Sequence, residues 1–124
     1  MRLEYEALTE RILGAAIEVH RALGPGLLES IYEEALCYEF ELQKIAFKRQ
    51  VAVDIVYKNR PIQGQKLDLL VFGEIVVEVK SLREIPEVAT AQVLSYLKAT
   101  GLKRALRVNF GATQLANGIK RISL

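Results

Sequence analysis

Apolar residues recur about every four positions in the first third of the chain and every two thereafter, with the change of period near Phe47. From Tyr5 to Leu23, the positions Ile12, Ala16, Val19 and Leu23 form one stripe of an amphipathic helix. Gly24-Pro25-Gly26 ends it, because glycine tolerates the left-handed conformation that closes helices and proline cannot continue one. The spacing of Leu28, Ile31, Ala35 and Leu42 predicts a second helix from Leu28 to Lys44, with Glu29 in the first turn, where the helix dipole favours a carboxylate. Tyr32 and Glu33, three and four residues on, share the face of Glu29. Val51, Val53, Ile55 and Tyr57 then alternate with polar residues as a half-buried strand, which Asn59-Arg60-Pro61 is expected to break. Two strand-like runs follow, KLDLLVF (66–72) and EIVVEVK (74–80). Pro86 opens a third helix reaching Thr100 and closed by Gly101; Ala105 to Phe110 and Ile119 to Leu124 read as the last strands. The order predicts an α/β fold with a mixed sheet: two N-terminal helices, a three-stranded antiparallel meander, a helix and two further strands.

The two central runs mirror each other about Gly73. A hairpin turning at Phe72-Gly73-Glu74 sets Leu70 opposite Val76, Asp68 opposite Glu78 and Lys66 opposite Lys80. Directly opposed residues carry their Cβ atoms about 4.5–5.5 Å apart on one face, so the two carboxylates repel unless a cation or a proton lies between them. Leu67, Leu69, Val71, Ile75, Val77 and Val79 make the other face apolar, so the pair is expected on a buried sheet, where unpaired charge costs several kcal/mol. That constellation suggests a divalent-metal site. The plain alternative is a solvated strand end at which Glu78 and Lys80 form surface ion pairs with Lys66 and Asp68.

Length and composition narrow the chemistry. At 124 residues, 51% hydrophobic and 26% charged, the chain is expected to be one globular domain spanning 1–124. It has no apolar run of the ~20 residues a membrane span needs and no apolar N-terminal signal, so a cytoplasmic location is the default expectation. Single Cys37 reads as a small buried apolar residue, and single His20 as a structural histidine ahead of a glycine turn, with a role at the edge of a site as the alternative. With one cysteine and one histidine, multi-ligand zinc sites are excluded, and no glycine-rich phosphate loop is present. What remains is carboxylate chemistry. The net charge of +2 is unevenly spread: residues 1–50 carry six basic and nine acidic side chains, residues 51–124 eleven and six, and no acid follows Glu87. Lys98, Lys103, Arg104 and Arg107 are therefore the expected footprint for a polyanion, against the simpler reading of a solvated basic surface.

The string GPGLLESIY (24–32) contains Gly26-x-x-Glu29-x-x-Tyr32, and it resembles the signature of the GxxExxY protein family of the PD-(D/E)XK nuclease superfamily. VHRALGPG, the Asp of KLDLLV, the Glu-x-Lys of EVK, the Gln-x-x-x-Tyr of QVLSYL, VNFG and GIKR follow the same order over nearly the whole chain. Each motif is weak alone; their order makes the resemblance specific. Two departures are that no proline precedes the Asp and that Lys66 stands where an arginine is the commoner residue.

The resemblance implies a restriction-endonuclease-like core in which Glu29, Asp68, Glu78 and Lys80 are the catalytic set, with Asp68, Glu78 and Glu29 as metal ligands. It implies that Gln92 and Tyr96, with Tyr32, position substrate, although on the residues alone Tyr32 reads rather as a helix-face packing residue, and Tyr96 can be a core cap with a wet hydroxyl. The implied cofactor is Mg²⁺ or Mn²⁺, which prefers hard oxygen ligands such as two carboxylates and a backbone carbonyl, for which Val79 is a candidate. Lys80 would orient the attacking water or neutralise the transition state. The implied partner is nucleic acid, with DNA favoured over RNA, and a homodimer is a reasonable assembly for so small a nuclease. The alternative function is a nucleic-acid or protein binding module that keeps the fold without turnover, since fold does not fix activity.

Overall fold

The computed structural model describes the backbone of residues 2–124 and the side chains from Tyr5 onward. Helices α1 (Arg2–Leu23) and α2 (Glu29–Leu42) precede β1 (Phe47–Tyr57), β2 (Arg60–Val71) and β3 (Ile75–Lys80); α3 (Val88–Thr100), β4 (Arg104–Asn109), a short 3-10 turn at Leu115–Gly118 and β5 (Ile119–Ser123) complete the chain. The strands form one sheet in the order β1-β2-β3-β4-β5. All neighbours are antiparallel except β3 and β4, which are parallel and joined through α3. This is the mixed restriction-endonuclease-like architecture expected above.

Each face of the sheet has its own apolar cluster. Ile12, Ala16 and Val19 of α1, with Leu36 and Phe40 of α2, pack on Leu69, Val71, Ile75, Val77, Val79 and Val108. On the other face Val93 and Leu97 of α3 meet Val53, Leu67, Val76, Ala105 and Ile122. Along β3 the alternation is strict: Val77 and Val79 point to α1 and α2, Val76 to α3, and Glu78 occupies the α3 side where a further apolar residue would be expected.

Several boundaries differ from the sequence reading, for local reasons. α2 stops at Leu42, because Lys44 turns left-handed (φ 58°) and the Ile45 N–H reaches back 2.8 Å to the Phe40 carbonyl. α3 begins at Val88, after Pro86, whose carbonyl accepts the Ala89 N–H at 3.0 Å. β2 starts at Arg60, six residues before the predicted run. Lys58 and Asn59 both adopt positive φ (47° and 67°) in a two-residue hairpin turn, so the chain reverses at the residues expected to break the strand and continues through Pro61. The hairpin at Gly73 does turn where expected, with Phe72 and Gly73 at positive φ and the pairs Leu69↔Val77, Leu70↔Val76 and Val71↔Ile75.

One expectation about faces fails at the centre of the sheet. Leu69 packs beneath α1 and α2, but Leu67, two residues earlier, packs beneath α3. The partner strand turns over at the same level, Arg49 reaching α2 while Val51 lies under α3, and Gln50 between them has φ 50°. The β1–β2 hairpin thus twists sharply at Gln50 and Asp68.

Gly111, from the VNFG string, is held by contact rather than by dihedral freedom. A Cβ there would lie 2.4 Å from the Leu82 carbonyl oxygen and 2.7 Å from its nitrogen. Gly111→Ala is expected to push the segment after β3 outward at a cost of about 2 kcal/mol, within the range of overpacked sites; a urea unfolding curve coincident with that of the wild type would contradict this contact.

Candidate active site

The twist at Asp68 builds the site. β2 and β3 are laddered from Val71↔Ile75 to Leu69↔Val77 and then part, so Asp68 and Glu78 are not the directly opposed ladder pair that the mirror register predicts. Each carboxylate instead takes the place of a missing rung. Val79 N–H donates to Asp68 Oδ2 at 2.9 Å, and Asp68 N–H donates to Glu78 Oε1 at 3.3 Å. The two acids still converge, now in the gap between the strands.

Burial makes that convergence expensive. Glu78 is 5% exposed, and its carboxyl is pushed up to about 8, first by desolvation and then by the charge of Asp68, against the opposing pull of Lys80. Asp68 is half-buried and also raised, by desolvation first; Val79 N–H opposes the shift, while the charge of Glu33 adds to it. Two desolvated carboxylates that resist simultaneous ionisation form a hard-oxygen donor set suited to a divalent cation.

Glu29 sits in the first turn of α2 and is raised by burial, with Lys80 lowering and Asp68 raising its pKa, so it belongs to the same electrostatic neighbourhood. It does not join a three-acid ligand set: among the described residues, no group of three or more His, Cys, Asp and Glu side chains is gathered to hold a metal. The fit is therefore to Asp68 and Glu78, with backbone and solvent oxygens completing a coordination shell. Lys80 ends β3, half-buried, and its carbonyl accepts Phe110 N–H at 2.8 Å.

On the α3 side, the Tyr96 hydroxyl is raised by burial and then by the charges of Glu78 and Asp68, so it lies within electrostatic reach of both acids. Gln92, one turn earlier, is exposed. Tyr32 has a different role from the substrate contact expected of it. It is 0% exposed, stacks on Phe110 at 4.6 Å, donates its O–H to the Gly24 carbonyl and accepts Leu27 N–H at 3.1 Å. A side chain with no exposed surface cannot touch substrate; it pins the glycine turn that presents α2. His20 is structural as expected, its Nε2 2.8 Å from the Ala112 carbonyl, and Cys37 is buried at 4% exposure.

The basic C-terminal third is corrected too. Arg107 is 9% exposed, and its guanidinium donates to Thr90 Oγ1 at 3.0 Å, tying β4 to α3. Arg104 pairs in register with Ile75, whereas Lys80 pairs with Asn109, so Arg104 and Lys103 stand at the other end of the sheet from the acids. The Arg104 guanidinium lies over the Tyr5 ring at 4.5 Å. Lys98 lies on the exposed side of α3, beside β1. These four residues do not form one surface around Asp68 and Glu78.

Other residues, unassigned from sequence, shape the site. Glu33 is 9% exposed and is held by Arg49 at 2.8 Å and Gln50 at 3.0 Å, a bracket from β1 that fixes a charge near Asp68. Its position four residues after Glu29 was the available signal. Asn109 is 5% exposed and clamps the segment after β3: its Oδ1 accepts the N–H groups of Leu82 at 2.9 Å and Gly111 at 3.0 Å, and its Nδ2 donates to the Leu82 carbonyl at 2.9 Å. Beside Glu29, a cleft of about 470 Å³ between the Pro25–Leu28 turn and Ser81–Arg83 offers an exposed arginine, Arg83.

No curated protein and no solved structure matches the chain. The model of the PD-(D/E)XK nuclease superfamily matches residues 6–122, a span that includes every part of the site just described, and the chain belongs to that superfamily.

Proposed function

We propose that the protein is a divalent-metal-dependent nuclease of GxxExxY type that hydrolyses phosphodiester bonds in DNA. The observation that carries the reading is the pair of desolvated carboxylates, Asp68 and Glu78, converging where β2 and β3 part with Lys80 beside them. Asp68 and Glu78 would hold Mg²⁺ or Mn²⁺, which when bound supplies Lewis-acid polarisation of the scissile phosphate and its nucleophile. The chain's own groups do the rest. Lys80 sets a positive charge against the phosphate oxygens as negative charge grows on them, and its N–H groups can orient the attacking water. Glu29, its carboxyl raised at the start of α2, could hold the attacking water and accept its proton. Tyr96 and Gln92 donate to phosphate from α3. The water oxygen bonds to phosphorus as the bond to the leaving sugar oxygen breaks, and solvent protonates that oxygen.

A second reading rests on the hydrogen bonds themselves. Because both carboxylates already accept backbone N–H groups, they can serve as rungs of the sheet in a binding module without turnover. Incubating the purified protein with Mg²⁺ or Mn²⁺ and DNA or RNA separates the two. The nuclease reading expects metal-dependent cleavage that Lys80→Ala lowers about a hundredfold or more, with Mn²⁺ binding retained; undiminished cleavage by the variant removes Lys80 from the mechanism, and no cleavage and no Mn²⁺ binding by the wild type favours the binding module.

A further inference from the structure

The strand that carries Asp68 does not stop at the site. β1 and β2 remain paired from Val51↔Leu67 to Tyr57↔Arg60, whereas β3 pairs only with Leu69 to Val71 of β2. The stretch from Asp68 to Arg60 is thus a two-stranded arm that runs past Glu78 and Lys80 for about 26 Å of extended chain. Its outer part is exposed on both strands.

What the arm displays is specific. Between Asp54 and Lys66 it has three basic residues, Lys58, Arg60 and Lys66, against one acid, Asp54. Tyr57 at the tip is 61% exposed, and the Lys58 ammonium lies 5.4 Å from its ring centroid. Tyr57 alternates in phase with Val53 and Ile55, which pack towards α3, and lies directly across from Arg60. The ring and the guanidinium therefore share the side of the arm on which Glu78 and Tyr96 lie. Of the basic residues of the C-terminal third, Lys98 lines a cleft with Asp54, Ile55 and Val56 of the arm, whereas Lys103 and Arg104 stand at the far end of the sheet.

We infer that the β1–β2 arm is the substrate grip, with Tyr57 as a stacking platform for an unpaired base and Lys58 and Arg60 as phosphate contacts, so that the substrate is single-stranded nucleic acid or a frayed end. This rests on the nuclease reading and adds the strandedness of the substrate. An exposed aromatic ring beside cations suits unstacked bases and backbone phosphate together, and duplex bases offer no free face to it. Addition of another protein strand is disfavoured on the same edge, because Pro61 removes a donor and Lys66 and Arg60 place charge along it.

The test measures binding of short labelled single-stranded and duplex DNA in EDTA, by anisotropy, across salt concentrations. The arm predicts that single strand binds more tightly than duplex, that Tyr57→Ala weakens it about tenfold while Tyr57→Phe does not, and that the pair Lys58→Glu and Arg60→Glu lowers the salt slope. Lys103→Glu, at the far end of the sheet, serves as the control and leaves binding unchanged. Wild-type binding that is indifferent to the arm variants, or equal for duplex and single strand, overturns the inference and leaves the nuclease reading standing. Arm variants that change the oligomeric state without changing DNA affinity overturn it in favour of a protein contact, and a wild type that binds no nucleic acid overturns it while the cleavage assay with metal decides the nuclease reading.

Discussion

Glu78→Gln is expected to abolish cleavage and, in the same protein, to stabilise the metal-free fold at alkaline pH. The amide keeps an oxygen to accept Asp68 N–H but cannot carry the negative charge that burial and Asp68 disfavour. Loss of one of two carboxylate ligands should lower the rate by about a thousandfold or more, the scale of a lost electrostatic contribution at the reacting phosphate. The stability effect has a definite sign. The Glu78 pKa is raised on folding from 4.5 to about 8, so the folded state favours the protonated acid; its stabilisation is complete below 4.5 and is lost as pH rises to about 8. Glutamine does not titrate. In EDTA the melting temperatures of wild type and variant should therefore diverge through that window, the variant ending higher by roughly 8 °C, for about 2 kcal/mol after discounting for titration shared with Asp68. Parallel melting curves from acid to alkaline pH, or an active variant, would contradict the site as described.

Asn109→Ala should be the most damaging substitution outside the acids. It removes a clamp of three hydrogen bonds and leaves the partly buried N–H groups of Leu82 and Gly111 and the Leu82 carbonyl without their partner. At about 1 kcal/mol each the loss is about 3 kcal/mol, or roughly 10 °C in melting temperature. Activity should fall well below that temperature too, because the segment held by Asn109 follows Lys80 directly and carries Arg83 into the cleft beside Glu29. Asn109→Asp retains the acceptor and loses the donor, so it should fall between alanine and wild type in a urea titration. If alanine is tolerated with normal activity, the segment is held by something other than Asn109.

Much of this design is legible in the chain and some of it is not, for physical reasons. The mirror arrangement about Gly73 gives the register of β2 and β3 and brings Asp68 and Glu78 together, because the period of two and a glycine turn leave few alternatives. The parting of the strands at those residues is not encoded in any pattern: it depends on a positive φ at Gln50, a residue type that does not announce one. Pro61 reads as a breaker yet lies within a continuous strand, which an edge position permits, so the arm is invisible to periodicity. The acid-free stretch after Glu87 misleads because linear charge says nothing about sheet ends; parallel pairing of β3 with β4 sends Arg104 away from the site and turns Arg107 inward. Tyr32 shares the helix face of Glu29 and Glu33, but that face divides between the site and the core, and Tyr32 falls on the core side.

Crystals soaked in Mn²⁺ and measured at the manganese absorption edge probe the centre of the proposal most directly. A single anomalous peak within coordination distance of one oxygen of Asp68 and one of Glu78, absent from Glu78→Gln crystals, is the expected result. Both carboxylates found still bonded only to the Val79 and Asp68 amides, with manganese elsewhere or nowhere, would contradict it.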